Sequence, residues 1–228
     1  MIRFAAIIIA SMFALASPSQ AHDIYQDCNG DEDTARIIDA CSAVLERGSL
    51  EASGNRQVAL FYRGYAYQRV GRLDESFTDY RASLVIDPGF FASKNNLSVG
   101  LTDRGAEAYR NKNYAQARAD FTETVKLGPD DVQSLTNLAA LDYKEGDFDQ
   151  AISHCTSAIE IDPKATTAYD VCGRAYLGKG DLKNAVVALT NVQTLEPGRA
   201  DNDEAQNPQE VLAQARYQLV QAGSSVDP

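Results

Sequence analysis

Histidine is scarce: His22 and His154 are the only two in 228 residues. No His-Glu-x-x-His motif, P-loop, Gly-x-Ser-x-Gly elbow or glycine-rich nucleotide loop occurs either. Catalysis and bound cofactors therefore lack their usual residues, and no enzyme, cofactor or metal is expected. A metal set could be assembled only from His154, Cys155 and Cys172, three ligands where a structural zinc site needs four. Positive charge is the second shortage. Lysine and arginine number 21 against 32 aspartates and glutamates, a formal net charge of −11. Nucleic acid and anionic membrane surfaces both demand concentrated Lys and Arg, so neither is an expected partner. The acidic balance favours solubility and basic partners. Beyond the N-terminal segment there is no run of 18 apolar residues, so no membrane insertion is expected after that segment is removed. Cys-x-x-Cys is also missing, and with it the usual redox motif.

What the chain does have is a period. Val132 to Pro163 is followed at once by a near-copy, Thr166 to Pro197. Each stretch holds two apolar runs of helical spacing, split by Gly146-Asp147 or Gly180-Asp181 and closed by an acidic residue and a proline. Pro129, Pro163 and Pro197 stand 34 residues apart. Such a period marks a solenoid of helix pairs, because one short pair cannot bury its own apolar face and needs neighbours. Small residues recur where helices must approach: Ala139 and Gly173 in the first helices, Ala151 and Ala185 in the second. Leu135, Leu138, Phe148, Ile159 and Ile161, then Tyr169, Tyr176, Leu182 and Leu189, fill the seams. Proline ends each unit because it cannot continue a helix.

This pattern resembles the tetratricopeptide repeat family. Gln57 to Pro88 carries Leu60, Gly64, Tyr67, Gly71, Tyr80, Leu84 and Pro88 in matching places, with Ser76 where alanine is preferred. Ser98 to Pro129 carries Leu101, Gly105, Tyr114, Ala117, Phe121 and Pro129, with Lys112 where the turn glycine belongs. Arg36 to Leu45 reads like Gln150 to Ile159 and makes a half unit. The resemblance covers about Arg36 to Pro197. It implies an all-α solenoid of ten to eleven helices, a right-handed superhelix whose concave groove is lined by the first helix of each pair. That groove contacts a peptide in the family. Here its face carries Phe61, Tyr62, Tyr65 and Arg69, then Thr102, Tyr109 and Arg110, then Asn137, Tyr143 and Lys144, then Asp170 and Arg174. Arg69, Arg110 and Lys144 fall at equivalent places, a basic ladder beside tyrosines suited to carboxylates. The Lys and Asn pairs with which chaperone-binding members clamp a terminal carboxylate are not reproduced.

The two ends read differently. Arg3, the apolar stretch Phe4 to Ala16, and small residues at Ser19 and Ala21 predict a cleaved signal peptide over 1–21, with a mature start at His22. The expected location is the periplasm or outside the cell, where an even number of cysteines points to disulfides. Residues 22–55 make an N-terminal strip and the half repeat. Its helix, from about Asp33 to Arg47, has no preceding helix to cover Ile37, Ile38 and Cys41. A Cys28–Cys41 bridge would hold the strip there, closing a loop of roughly 14 residues worth about 3 kcal/mol. Cys155 and Cys172 sit symmetrically about the Pro163 turn, at the same height on antiparallel helices, and form the second expected pair if both face the seam. Between Pro88 and Pro129 the spacing is 41, seven more than the period. Residues 91–97 read as two extra turns of the first helix of that repeat, from near Phe91, or as a loop insertion. After the repeats at 57–88, 98–129, 132–163 and 166–197 comes a polar linker over 198–207. A capping helix follows over 208–222, with Val211, Leu212, Ala215 and Leu219 on one face, and then a disordered tail over 223–228. The function expected is a non-enzymatic adaptor that binds a protein or peptide in the groove. The alternative is a thiol-active protein using Cys155 and Cys172. Oligomeric state is not legible.

Overall fold

The computed structural model describes residues 24–30, 33–197 and 207–223. The segment read as a signal peptide, the linker read over 198–207 apart from Asn207, and the tail read over 223–228 apart from Gly223 lie outside the described residues. Every element among the described residues is helical. The chain forms two compact units, one ending at Asn96 and the other starting at Leu97.

In the first unit, residues 24–28 form a short helical turn. Helix α1 spans Thr34–Glu46 and starts where the Asp33 carboxylate accepts from the backbone N–H groups of Ala35 and Arg36. Gly48 takes a left-handed φ of 56°, a 3-10 turn covers Gly48–Leu50, and helices α2 (Ser53–Arg69) and α3 (Leu73–Ile86) follow. Helix α1 packs on α2, and α2 on α3. Cys28, Ile37, Cys41, Val44, Ala59 and Ala66 form the core under the N-terminal turn, and Cys28 is bridged to Cys41 with Cα atoms 4.8 Å apart. The missing partner helix is thus replaced by a tethered strip. A second tie is polar. Glu51 is buried and accepts from Tyr25 Oη at 2.5 Å, Asn55 Nδ2 at 2.6 Å, Arg47 Nη1 at 3.3 Å and the Ala52 N–H at 3.2 Å. Burial alone would push its carboxyl pKa up; these donors outweigh burial and hold it below the ordinary value.

Helix α4 is one helix from Phe91 to Arg110, so the seven residues beyond the period are helical turns, not a loop. Its first residues close the first unit, where Ser93 bonds Ser83 at 2.9 Å and Asn96 donates to Tyr80 at 3.2 Å.

The second unit takes the rest of α4, then α5 (Tyr114–Leu127), α6 (Val132–Glu145), α7 (Phe148–Ile161), α8 (Thr166–Lys179), α9 (Leu182–Leu195) and α10 (Pro208–Gln221). The Gly-Asp pairs work as their chemistry dictates. Gly146 and Gly180 take φ of 83° and 82° and end one helix. Asp147 and Asp181 then accept from the N–H groups of Gln150 and Asn184 and start the next. Lys112 does the work of a turn glycine at φ 60°, a strained place for a side chain. Close approach needs glycine elsewhere, as Gly105 and Gly173 show. A Cβ on Gly105 would meet the Phe121 ring at 2.7 Å, and one on Gly173 would meet Leu189 at 2.5 Å.

Apolar clusters run through this unit in series. Ala108, Ala117, Phe121, Leu138 and Leu141 join α4, α5 and α6. Leu135, Ala139, Cys155, Ala158, Ala168 and Cys172 join α6, α7 and α8, and there Cys155 is bridged to Cys172 with Cα atoms 5.6 Å apart. Leu189 of α9 meets Val211, Leu212, Ala215 and Leu219 of α10, which seals the end of the series. Ile161 departs from the seam assigned to it and is 40% exposed. No helix among the described residues is long and apolar enough to cross a membrane.

Candidate functional site

Of the twelve residues read onto the groove face, Thr102 is buried against Ser134 at 3.3 Å and Asp170 is taken up with Arg174, and the other ten separate into three groups. In the first unit, all four lie on α2. Phe61 is half-buried in an aromatic cluster, edge-on to Tyr62 at 5.1 Å and to Phe90 at 5.6 Å between ring centres. Tyr62 leans into the core around the Cys28–Cys41 bridge. Tyr65 is 40% exposed, and Arg69 is exposed in the last turn.

In the second unit, Tyr143 packs on Phe148 at 6.0 Å and on the core around Cys155. Lys144 is exposed in the last turn of α6. Arg174 is occupied by its own helix: its Nε lies 3.0 Å from each carboxylate oxygen of Asp170, one turn earlier. Both side chains are largely buried, so this cation is neutralised in place.

The remaining three converge. Tyr109, Arg110 and Asn137 line one cavity of about 220 Å³, together with Ala106, Phe121 and Ala140. Helical spacing explains the gathering. Ala106, Tyr109 and Arg110 lie three and four apart on α4, and Asn137 and Ala140 three apart on α6, so each set shares a face. Phe121 of α5 is buried and forms the floor. Tyr109 is braced by Tyr114, with ring centres 5.5 Å apart. Arg110 is exposed and makes no ion pair among the described residues, and the half-buried Asn137 amide makes no hydrogen bond there. The pocket therefore offers an apolar floor, one free guanidinium and one amide with both donor and acceptor open.

Away from this face, ion pairs tie helices together. Arg63 donates from Nε and Nη2 to the two oxygens of Asp79, each at 2.7 Å, and from Nη1 to Ser42 of α1 at 3.1 Å. Arg104 holds Asp120 in the same two-point way, at 3.0 and 2.7 Å. Both pairs span sixteen residues, a spacing present in the sequence and the one signal that could have disclosed them. Buried Asp142 accepts from Arg118 Nη1 at 2.7 Å and lies 2.6 Å from His154 Nδ1. His154 is thus engaged with a carboxylate, while both sulfurs beside it are committed to the bridge. Cys155 and Cys172 are 0% and 2% exposed, which leaves no line of approach for an attacking thiolate.

Residues 102–166 match the tetratricopeptide repeat model. The helices over these residues are similar to tetratricopeptide repeats. Among relatives, the chain is 32% identical over 100 residues to the small glutamine-rich tetratricopeptide repeat-containing protein 2 of Saccharomyces cerevisiae. That match covers 44% of this chain and 29% of the yeast protein. It is 22% identical over 213 residues to a tetratricopeptide repeat and J domain-containing co-chaperone of Fusarium oxysporum, covering 86% of this chain and 40% of that one. The chain spans less than half the length of these curated relatives. Among solved structures it is similar to the tetratricopeptide domain of Sgt2 from Aspergillus fumigatus, with a TM-score of 0.50 and 24% identity over 57% of this chain and 84% of that one. It is also similar to the first such domain of Spaghetti (RPAP3) bound to the HSP90 peptide SRMEEVD, with a TM-score of 0.51 and 22% identity over 55% and 94%. At these identities the likeness bears on the tetratricopeptide fold.

Proposed function

We propose that the chain is a non-enzymatic interaction module that binds a peptide or protein on the face formed by the first helices of its repeats, and that it is exported. One observation carries the binding reading: Tyr109, Arg110 and Asn137, from two successive first helices, meet at one pocket with a cation and an amide that have no partner among the described residues. Peptide binding by the Spaghetti (RPAP3) domain, whose fold is similar, lends support. Export rests on the signal-like segment over 1–21 and on two buried disulfides, which persist in oxidising compartments.

Site-specific photocrosslinking tests the binding face. A crosslinker at position 137 is expected to capture a partner from envelope extract, and one at exposed position 119, on the outer face of α5, is not. Capture only from position 119 would move the interaction to the shallow surface around Ala115, Arg118 and Thr122. Charge reversal at Arg69, Arg110 and Lys144 is expected to weaken the captured complex while the melting temperature holds, since exposed charges seldom change stability by more than about 0.5 kcal/mol. Fractionation of a tagged copy in a bacterial cell tests export: recovery in the cytoplasm with four free thiols would end that reading.

A further inference from the structure

We infer that the pocket between α4 and α6 takes one medium-sized apolar side chain from an internal stretch of a partner polypeptide, with an acidic side chain of that stretch on Arg110. This rests on the peptide-binding reading and adds the chemistry of what is bound.

The pocket exists because of two alanines. The ninth position of each repeat is Tyr65, Ala106, Ala140 and Arg174 in turn. Only the middle pair is small, and the cavity lies between those two residues. Its volume of about 220 Å³ exceeds the roughly 150 Å³ that suffices for benzene in an apolar cavity, so a Leu, Met or Phe side chain fits. The Phe121 ring and the two methyl groups give that side chain an apolar floor.

The rim sets the rest. Asn137 presents an N–H donor and a C=O acceptor, the complement of a peptide group, which also carries one of each. Arg110 has no carboxylate partner among the described residues, in a chain with a large excess of carboxylates. It can therefore form a charge-assisted pair with an incoming anion. The rim holds one cation, which matches one acidic side chain. A chain terminus next to an acidic residue would bring two anions to it. The occupant is thus an internal motif, one acidic residue near one bulky apolar residue.

Synthetic peptides test this on the full chain by fluorescence anisotropy. Each is acetylated and amidated, with a Gly-Ser background, one Glu and one variable residue at spacings of one to four. Peptides with Leu, Met or Phe are expected to bind at least tenfold tighter than those with Ala. Arg110→Gln is expected to weaken the Glu peptides about tenfold and to leave their Gln counterparts unchanged. Ala140→Leu, which fills the cavity, is expected to lower affinity at least tenfold with the helical circular dichroism signal intact, and Ala106→Met repeats that test from the opposite wall. Binding that requires an unblocked C-terminal carboxylate, or that ignores both Ala140→Leu and Arg110→Gln, overturns the inference and leaves the wider binding face standing. Failure of every blocked and unblocked peptide to bind, together with no crosslink from position 137, removes both.

Discussion

The first two repeats and the last two solve the same packing problem with different bonds. At the seventh and twenty-third positions, the first two carry Arg63 with Asp79 and Arg104 with Asp120, each a two-point ion pair across the helices of one repeat. The last two carry Leu138 with His154 and Cys172 with Ala188 at those positions. There the strong tie is the Cys155–Cys172 bridge, which joins one repeat to the next. The ion pair fixes the angle within a helix pair, and the disulfide fixes the stacking of one pair on another. Equivalent backbone positions can thus serve either bond, and the side chains decide whether a repeat answers to charge or to redox conditions.

The largest expected effect tests the charged half. Arg104→Met strands buried Asp120 and is expected to cost about 3 kcal/mol or more, by urea unfolding. Adding Asp120→Leu should recover most of it, because the site then approaches the apolar character of Leu138. No recovery would mean that the first repeats depend on the ion pair itself. Next, Cys155→Ala with Cys172→Ala is expected to cost about 3 kcal/mol by the loop-entropy account. In the wild type, reductant opens both bridges and should cost more than that, while the double variant should lose under reduction only the share of Cys28–Cys41.

A third test uses acid on the polar hub of the first unit. Glu51 has a folded-state pKa below its ordinary value of 4.5. Its contribution is therefore full above that ordinary value and is lost as pH falls through the folded value. Glu51→Gln should flatten the acid side of the stability profile and cost about 2 kcal/mol at neutral pH. An unchanged acid limb would show that the hub does not govern it. The smallest effect is a gain. Lys112→Gly relieves the left-handed strain that Gly146 and Gly180 avoid in the later repeats, and is expected to stabilise by about 1 kcal/mol in thermal melts. A loss would mean that the unfolded-state entropy of glycine outweighs the relieved strain.

Much of the fold is legible in the residues themselves. The proline period, the Gly-Asp turns and the one-sided Val211, Leu212, Ala215 and Leu219 are local signals, and each has its counterpart in the structure. Height along a helix is equally local, which is why symmetric placement about Pro163 leads to the two cysteines that are bridged. Rotation about the helix axis is not local. Tyr62 and Tyr143 therefore sit against core clusters although the family resemblance puts them with the groove, and the Arg–Asp pairs went unread despite their shared spacing. Arg174 could have been anticipated, since Asp170 stands four residues before it on the same helix. The pocket needed a comparison across repeats, because what defines it is two small residues in a row at one position.

The Cys155–Cys172 bridge also has a mechanical meaning. A chain pulled from its two ends lengthens as each helix pair gives way. The residues between Cys155 and Cys172, positions 17 apart in sequence, cannot join that extension while the bridge holds. At the reach of an extended backbone they withhold roughly 60 Å of contour. An optical trap would record unravelling that stops short by that length in oxidising buffer and regains it when reductant is added. In this sense the bridge sets how far the last two repeats can be drawn out under load.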